Sequence, residues 1–286
     1  MKITLNNGET IAYKKRPGGA CNLLLIHGNM ACSDQWDLLM DHLHPKYTVY
    51  ALDLRGYGES TYHSPINSIS DFSRDIKLFI DDLGLKSFHL MGWSNGGGAA
   101  MQFAADYPER VEKLILLASM STRGYPIYNK DGVRVYTKEQ VMSDDGLNMM
   151  LEAQRNKNKA FFKTAMDQLL YSRNKPHEER YEKYLVSAMN QRNIIDIAYA
   201  ASKFNISTGS NGAGDGSGDI KRIIAPVLVL WGKNDVITTE QMTLEIINDM
   251  KDAGIDVTYS SLSAGHAVLI DNLEAVLMDI DKFLSS

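Results

Sequence analysis

The sequence predicts an α/β fold in which a mostly parallel sheet carries a helical insertion. Three observations predict it. Short apolar runs alternate with helical patterns over residues 22–118 and again from 226 to 284, the order that parallel strands joined by right-handed crossovers require. Between those stretches, residues 121–220 hold no strand-like run. The 286 residues are 44% apolar and 23% charged, which is globular usage and enough to fill a core.

The elements follow in order. Ile3 and Leu5 alternate with polar neighbours, Asn7-Gly8 supplies a two-residue turn, and residues 10–13 return as the second arm of a hairpin. Residues 22–26 read as a buried strand, 34–43 as a helix and 48–52 as the next strand. Over 70–83, Phe72, Ile76, Phe79, Ile80 and Leu83 share one helical face, and Gly84 ends the helix. Residues 88–91 form a strand, 96–107 a helix of small residues stopped at Pro108, and 111–118 another strand. The middle segment has helical patches at 139–155, 160–171 and 177–189. Five glycines in the eleven residues 209–219 mark a flexible loop or hinge, and with it a lid that opens. The rhythm resumes with a strand at 227–231, a helix at 239–253, a strand at 256–260 and a final amphipathic helix at 272–284.

Composition excludes several classes. Thirty Lys and Arg against 35 Asp and Glu give a net charge of −5, with no basic run to hold nucleic acid. No apolar stretch approaches a membrane span, and the first residues lack the apolar middle of a signal peptide. Cys21 and Cys32 match neither a zinc site nor a C-x-x-C pair and read as two reduced thiols. The expectation is a cytoplasmic protein that acts on a small molecule, without nucleic-acid or membrane partners.

The chemistry concentrates at Gly92-Trp93-Ser94-Asn95-Gly96, a G-x-S-x-G pattern between a strand and a helix. In this context the serine occupies a strained turn that lifts its hydroxyl clear of the sheet, and flanking side chains would clash with neighbouring backbone. A serine hydroxyl needs a base. Of seven histidines, His266 follows the last strand and also follows the serine in chain order. His42 and His44 read as a solvated helix end, His89 as a packed strand residue, and His63 and His177 as surface groups. The base needs an acid to fix its tautomer. Asp235, in the turn after the strand at 227–231, lies at the right edge of the sheet. Asp256 opens its strand at the opposite edge, and Asp271 begins the last helix. The oxyanion of acyl transfer needs fixed N–H donors. The backbone of Asn95 is one candidate, and that of Asn29, in the loop His27-Gly28-Asn29-Met30, is the other. His27 itself reads as a residue that fixes this loop. Trp93 and Met120 are expected to border the acyl pocket. Tyr125, Tyr128, Met149, Met150, Phe161, Phe162 and Met166 are candidates either for an apolar roof or for the insertion's own core.

His27-Gly28-Asn29-Met30, the segment from Asp53 to Ser60, the elbow at Ser94, Gly232-Lys233-Asn234-Asp235 and Gly265-His266 stand in this order. With these five elements the sequence resembles the α/β-hydrolase superfamily along nearly its whole length. The resemblance implies an eight-stranded, mostly parallel sheet with helices on both faces. It divides the chain into a core of residues 1–120 and 221–286 and a helical cap of residues 121–220 inserted after the sixth strand. It also implies a structural role for the Asp53–Ser60 loop. Members with aspartate at the elbow, the haloalkane dehalogenases and epoxide hydrolases, are disfavoured by Ser94. Gly96-Gly97-Gly98 resembles small esterases and the haloperoxidase-like group. The expected activity is hydrolysis of a small, largely apolar carboxylic ester or lactone through an acyl-enzyme, with Ser94, His266 and Asp235 as triad and no metal or organic cofactor. C–C bond hydrolases of ring-cleavage products, cofactor-free haloperoxidases and ligand receptors that keep the triad are the alternatives.

Overall fold

The structure is a computed structural model that describes residues 1–285. One eight-stranded sheet runs through it, in the spatial order β1-β2-β4-β3-β5-β6-β7-β8. The hairpin of β1 (Lys2–Thr4) and β2 (Thr10–Arg16) pairs Ile3 with Ile11, and its turn closes from Gly8 N–H to the Leu5 carbonyl. β2 then pairs antiparallel with β4 (Tyr47–Leu52). The remaining strands are parallel: β3 (Cys21–Ile26), β5 (Phe88–Trp93), β6 (Val111–Leu117), β7 (Val227–Gly232) and β8 (Val257–Leu262).

The central strands are buried on both faces, and their alternation splits the core in two. Leu24 and Ile26 of β3 join one apolar cluster, and Leu23 and Leu25 join the other. The first cluster takes Phe72 and Ile76 from α2 (Ile69–Asp82), Met101 from α3 (Asn95–Asp106) and Ile246 from α9 (Glu240–Asp252). The second takes Leu39 from α1 (Asp37–His42) and Val276 and Phe283 from α11 (Leu273–Ser285). Helices therefore cover both faces.

Between β6 and β7 the described residues form five α-helices and no strand. They are α4 (Lys138–Met142), α5 (Asp145–Arg155), α6 (Lys159–Leu169), α7 (Glu178–Met189) and α8 (Ile194–Lys203). Their apolar side chains enter both clusters: Phe162, Met166 and Tyr184 join the second, Ile197 and Ala201 the first. The insertion thus shares its core with the sheet. The sequence pattern misses α8, whose buried Ile194, Ile197, Ala200 and Ala201 lie on one helical face. The glycine-rich loop folds on itself through Asn211 N–H and the Gly214 carbonyl, and Arg134 Nη1 donates to the Asn211 carbonyl.

Two local readings change. The helix read at 34–43 starts as a 3-10 turn at Ser33–Trp36, capped by Cys32, before α1. Asp271 does not begin the last helix. It ends a short helix α10 (Val268–Asp271), where its carboxylate accepts the N–H groups of Gly265 (2.6 Å) and Asn174 (3.0 Å). No helix among the described residues is long and apolar enough to cross a membrane.

Candidate active site

Ser94 links β5 to α3 at φ +56° and ψ −123°, a conformation that costs a non-glycine residue about 1–3 kcal/mol. The surroundings enforce it. Ser94 N–H donates to the Leu117 carbonyl (3.0 Å), and the Ser94 carbonyl accepts Gly97 N–H (2.9 Å) and Met120 N–H (3.1 Å). The elbow is packed so tightly that a Cβ on Gly96 would stand 2.3 Å from the His27 carbonyl oxygen.

His266 and Asp235 sit in the loops after β8 and β7. Nδ1 of His266 lies 2.8 Å from Oδ2 of Asp235. The turn after β7 closes from Asp235 N–H to the Gly232 carbonyl. Thr238 donates its hydroxyl to Oδ2 (2.6 Å), and the N–H groups of Ile237 and Thr238 donate to Oδ1. Burial raises the carboxyl's pKa, but these donors and His266 outweigh it and hold Asp235 below its ordinary value. Thr238 escaped the sequence reading, although Asp-x-x-Thr is a local turn pattern that would have found it.

The loop after β3 passes close to the elbow: a Cβ on Gly28 would meet Ser94 Cβ at 2.8 Å. His27 is fully buried and fixes this loop. Its Nε2 accepts Leu54 N–H (3.0 Å), so Nδ1 carries the proton and donates to the Gly28 carbonyl (2.7 Å). That carbonyl and Asn29 N–H belong to one trans peptide and point in opposite directions. Asn95 N–H stands at the first position of α3, where no intrahelical carbonyl is available.

Ser94, Asn95, Asn29, Met120 and His266 all line one cavity of about 410 Å³. Tyr125, Tyr128, Leu147 and Met150 cover it from the insertion. Of the other roof candidates, Phe162 and Met166 are fully buried in the second cluster, Phe161 packs against that cluster, and Met149 is exposed. Larger hollows of about 470 and 520 Å³ lie beside α7 and on the outer side of α4, and neither touches Ser94 or His266.

Trp93 departs from expectation. It does not line the cavity over Ser94. Consecutive strand residues point to opposite faces, and Trp93 joins Met91 in the second cluster. There its indole N–H donates to the His266 carbonyl (3.1 Å). The Asp53–Ser60 segment is structural: Asp53 accepts the N–H groups of Ser33 and Glu59, and Arg55 forms a buried bidentate pair with Asp75. Cys32 is buried, and its thiol is pushed up to about 12, chiefly by desolvation. Cys21 is exposed and unpaired with it.

The α/β-hydrolase fold model matches residues 22–273. The chain belongs to the α/β-hydrolase fold family. Over 112 residues this α/β hydrolase is 36% identical to the dihydrolipoyllysine-residue acetyltransferase component of an acetoin cleaving system from Cupriavidus necator. That match covers 39% of the chain and only 30% of the relative. It is 25% identical over 222 residues to a 2-hydroxy-6-oxononadienedioate/2-hydroxy-6-oxononatrienedioate hydrolase from Klebsiella pneumoniae, covering 76% of the chain and 72% of the relative. Its fold is similar to that of a thermophilic esterase from Thermogutta terrifontis, with a TM-score of 0.77 and 22% identity over 100% of this chain and 97% of the other.

Proposed function

We propose that this α/β hydrolase cleaves small, largely apolar carboxylic esters, lactones included, through an acyl-enzyme. One observation carries the reading. His266, paired with the buried Asp235, and the strained Ser94 line the same cavity, which is walled mostly by apolar side chains. In this mechanism Ser94 Oγ attacks the carbonyl carbon while His266 Nε2 takes its proton. The tetrahedral oxyanion accepts the N–H groups of Asn29 and Asn95. The intermediate collapses, the C–O bond to the alcohol breaks, and His266 returns the proton to the leaving oxygen. Water, deprotonated by His266, then hydrolyses the acyl-enzyme, and the acid leaves. Asp235 holds Nδ1–H and stabilises the imidazolium in both halves. Met120 lines the cavity beside Ser94 and borders the acyl group.

The likeness to a hydrolase named for a dienedioate favours a second reading, hydrolysis of a C–C bond beside a carbonyl. Among the described residues the cavity presents no Lys or Arg to a carboxylate, which favours a neutral ester over a dicarboxylate. A fluorophosphonate probe tests the nucleophile, and a panel of p-nitrophenyl esters, lactones and a vinylogous diketone ranks the substrates. Labelling of the wild type but not of Ser94→Ala is expected, with ester turnover reduced about 10⁴–10⁶-fold in that variant. Near-normal turnover by Ser94→Ala overturns the assignment.

A further inference from the structure

Asn29 and Met30 do not hold themselves in place. Met30 lies at φ +53°, in the left-handed region that a side chain rarely enters. What secures it comes from the insertion. Gln191, which follows α7, is fully buried. Its Oε1 accepts Met30 N–H at 2.9 Å. Its Nε2 donates to Asn29 Oδ1 at 2.7 Å and to Asn193 Oδ1 at 2.9 Å. The same Asn29 oxygen accepts the Tyr57 hydroxyl at 3.0 Å. One side-chain amide therefore grips both the backbone after Asn29 and the side chain of Asn29.

Gln191 is itself anchored. Gln154 Nε2 donates to the carbonyls of Gln191 and Met189. Arg192 N–H donates to the Gly56 carbonyl (2.8 Å), and Asn193 Nδ2 to the Arg55 carbonyl (3.0 Å). Residues 189–193 are thus stitched to the loops after both β3 and β4.

The two peptide planes flanking Asn29 have separate anchors. The plane before it, which carries Asn29 N–H, is held by His27 at one point only, the Gly28 carbonyl. The plane after it is set by Gln191. A single point leaves the plane before Asn29 free to tip about its hydrogen bond, since φ and ψ are the soft coordinates of the chain, and the Gln191 contacts with Asn29 and Met30 supply the second point. We propose that Gln191 is a positioning residue for the oxyanion site and that seating of the helical insertion completes that site. The inference rests on the acyl-transfer reading above. In it the insertion does more than cover the substrate: if the 189–193 segment lifts, Met30 N–H and the Asn29 side chain lose their partner. Asn29 N–H then loses its aim, while Ser94, His266 and Asp235 stay where the sheet puts them.

The test uses the full chain and two variants. Gln191→Met keeps the volume and removes both kinds of hydrogen bond. Gln191→Glu keeps an acceptor for Met30 N–H and removes the amide donor. Each is assayed with p-nitrophenyl esters, with a trifluoromethyl ketone of the same chain, which forms a tetrahedral oxyanion on Ser94, and with the matching methyl ketone as a ground-state probe. Gln191→Met is expected to lower kcat about 10- to 100-fold, the size of effect that sub-ångström to ångström misplacement produces. KM should stay within about threefold, as for an interaction made only in the transition state. Trifluoromethyl ketone affinity should fall by the same factor as kcat/KM, with methyl ketone affinity unchanged. Gln191→Glu should fall between wild type and Gln191→Met on both measures. Wild-type kcat in Gln191→Met overturns the inference, as does a loss confined to KM and methyl ketone binding. Should Gln191→Met fail to fold by circular dichroism, Gln191→Glu decides alone, and wild-type kcat and ketone affinity in it overturn the inference. Ser94→Ala runs alongside. If it is inactive while the Gln191 variants behave as wild type, only this inference falls. If it keeps wild-type turnover, the acyl-transfer reading falls and takes this inference with it.

Discussion

His266 Nδ1 and Asp235 Oδ2 are joined by a 2.8 Å contact between groups that are only 3% and 7% exposed. Asp235 receives three further hydrogen bonds, two from backbone N–H groups and one from the Thr238 hydroxyl. The carboxylate is thus kept ionised in a buried place and aimed at one ring nitrogen, which leaves Nε2 of His266 for the proton transfer proposed above.

Asp235→Asn replaces that acceptor with an amide of the same shape. The imidazole then loses the partner that selects its tautomer, and kcat for a p-nitrophenyl ester should fall about 10⁴-fold. Thr238→Val removes one of the four hydrogen bonds and should cost less than Asp235→Asn does. An Asp235→Asn variant within tenfold of wild type would remove Asp235 from the mechanism.

Trp93 and Met150 separate positioning from substrate fit. Trp93→Phe keeps an aromatic ring in the second cluster and removes the donor to the His266 carbonyl. It should lower kcat while leaving the ranking of acyl-chain lengths unchanged. Met150→Ala deepens the cavity from the insertion side and should move the preferred acyl chain to greater length. A changed ranking in Trp93→Phe, measured on esters of graded chain length, would return Trp93 to the pocket wall.

Gly28→Ala tests the approach of the loop to the elbow. The new methyl would stand 2.8 Å from Ser94 Cβ. One of the two segments must shift, at a cost of about 1–3 kcal/mol in stability by thermal or urea unfolding. Turnover should fall as well, since the shift displaces Ser94, Asn29 or both. Wild-type activity with wild-type stability would show that the loop stands farther away.

Acid should loosen the loop through His27. Desolvation lowers its pKa, against the opposing pull of Asp53 and the Gly28 carbonyl. A histidine with a folded pKa below its unfolded value stabilises the fold in full above about pH 6.5 and loses that contribution as pH falls toward the folded pKa. Charging Nε2 also removes the acceptor of Leu54 N–H. Urea midpoints measured from pH 7 down to 5 should decline, and less steeply in His27→Gln. Equal slopes in the two proteins would exclude this role.

Much of the site was legible because its signals are local. The G-x-S-x-G pattern announces its own close packing, with Gly96 pressed against the His27 carbonyl. Asp235 and His266 each follow a strand, so the sheet brings them to one edge whatever the rest of the chain does. Trp93 was misplaced by adjacency: a residue next to Ser94 in sequence lies on the other face of β5, and the period-2 rule already said so. The helix α8 was missed although Ile194, Ile197, Ala200 and Ala201 recur at helical spacing and are its buried face.

The sequence by itself determined the order and kind of the strands and most of the helices, the elbow at Ser94 and the strand ends that carry Asp235 and His266. These depend on side-chain periodicity and turn chemistry within a few residues. Only the tertiary structure decided that Gln191 bonds Asn29 and Met30 across more than 160 positions, that Trp93 supports His266 from beneath, and which insertion side chains roof the cavity. Those outcomes depend on how the insertion seats on the sheet. That seating is a sum of many weak long-range contacts, and no single stretch of sequence carries it.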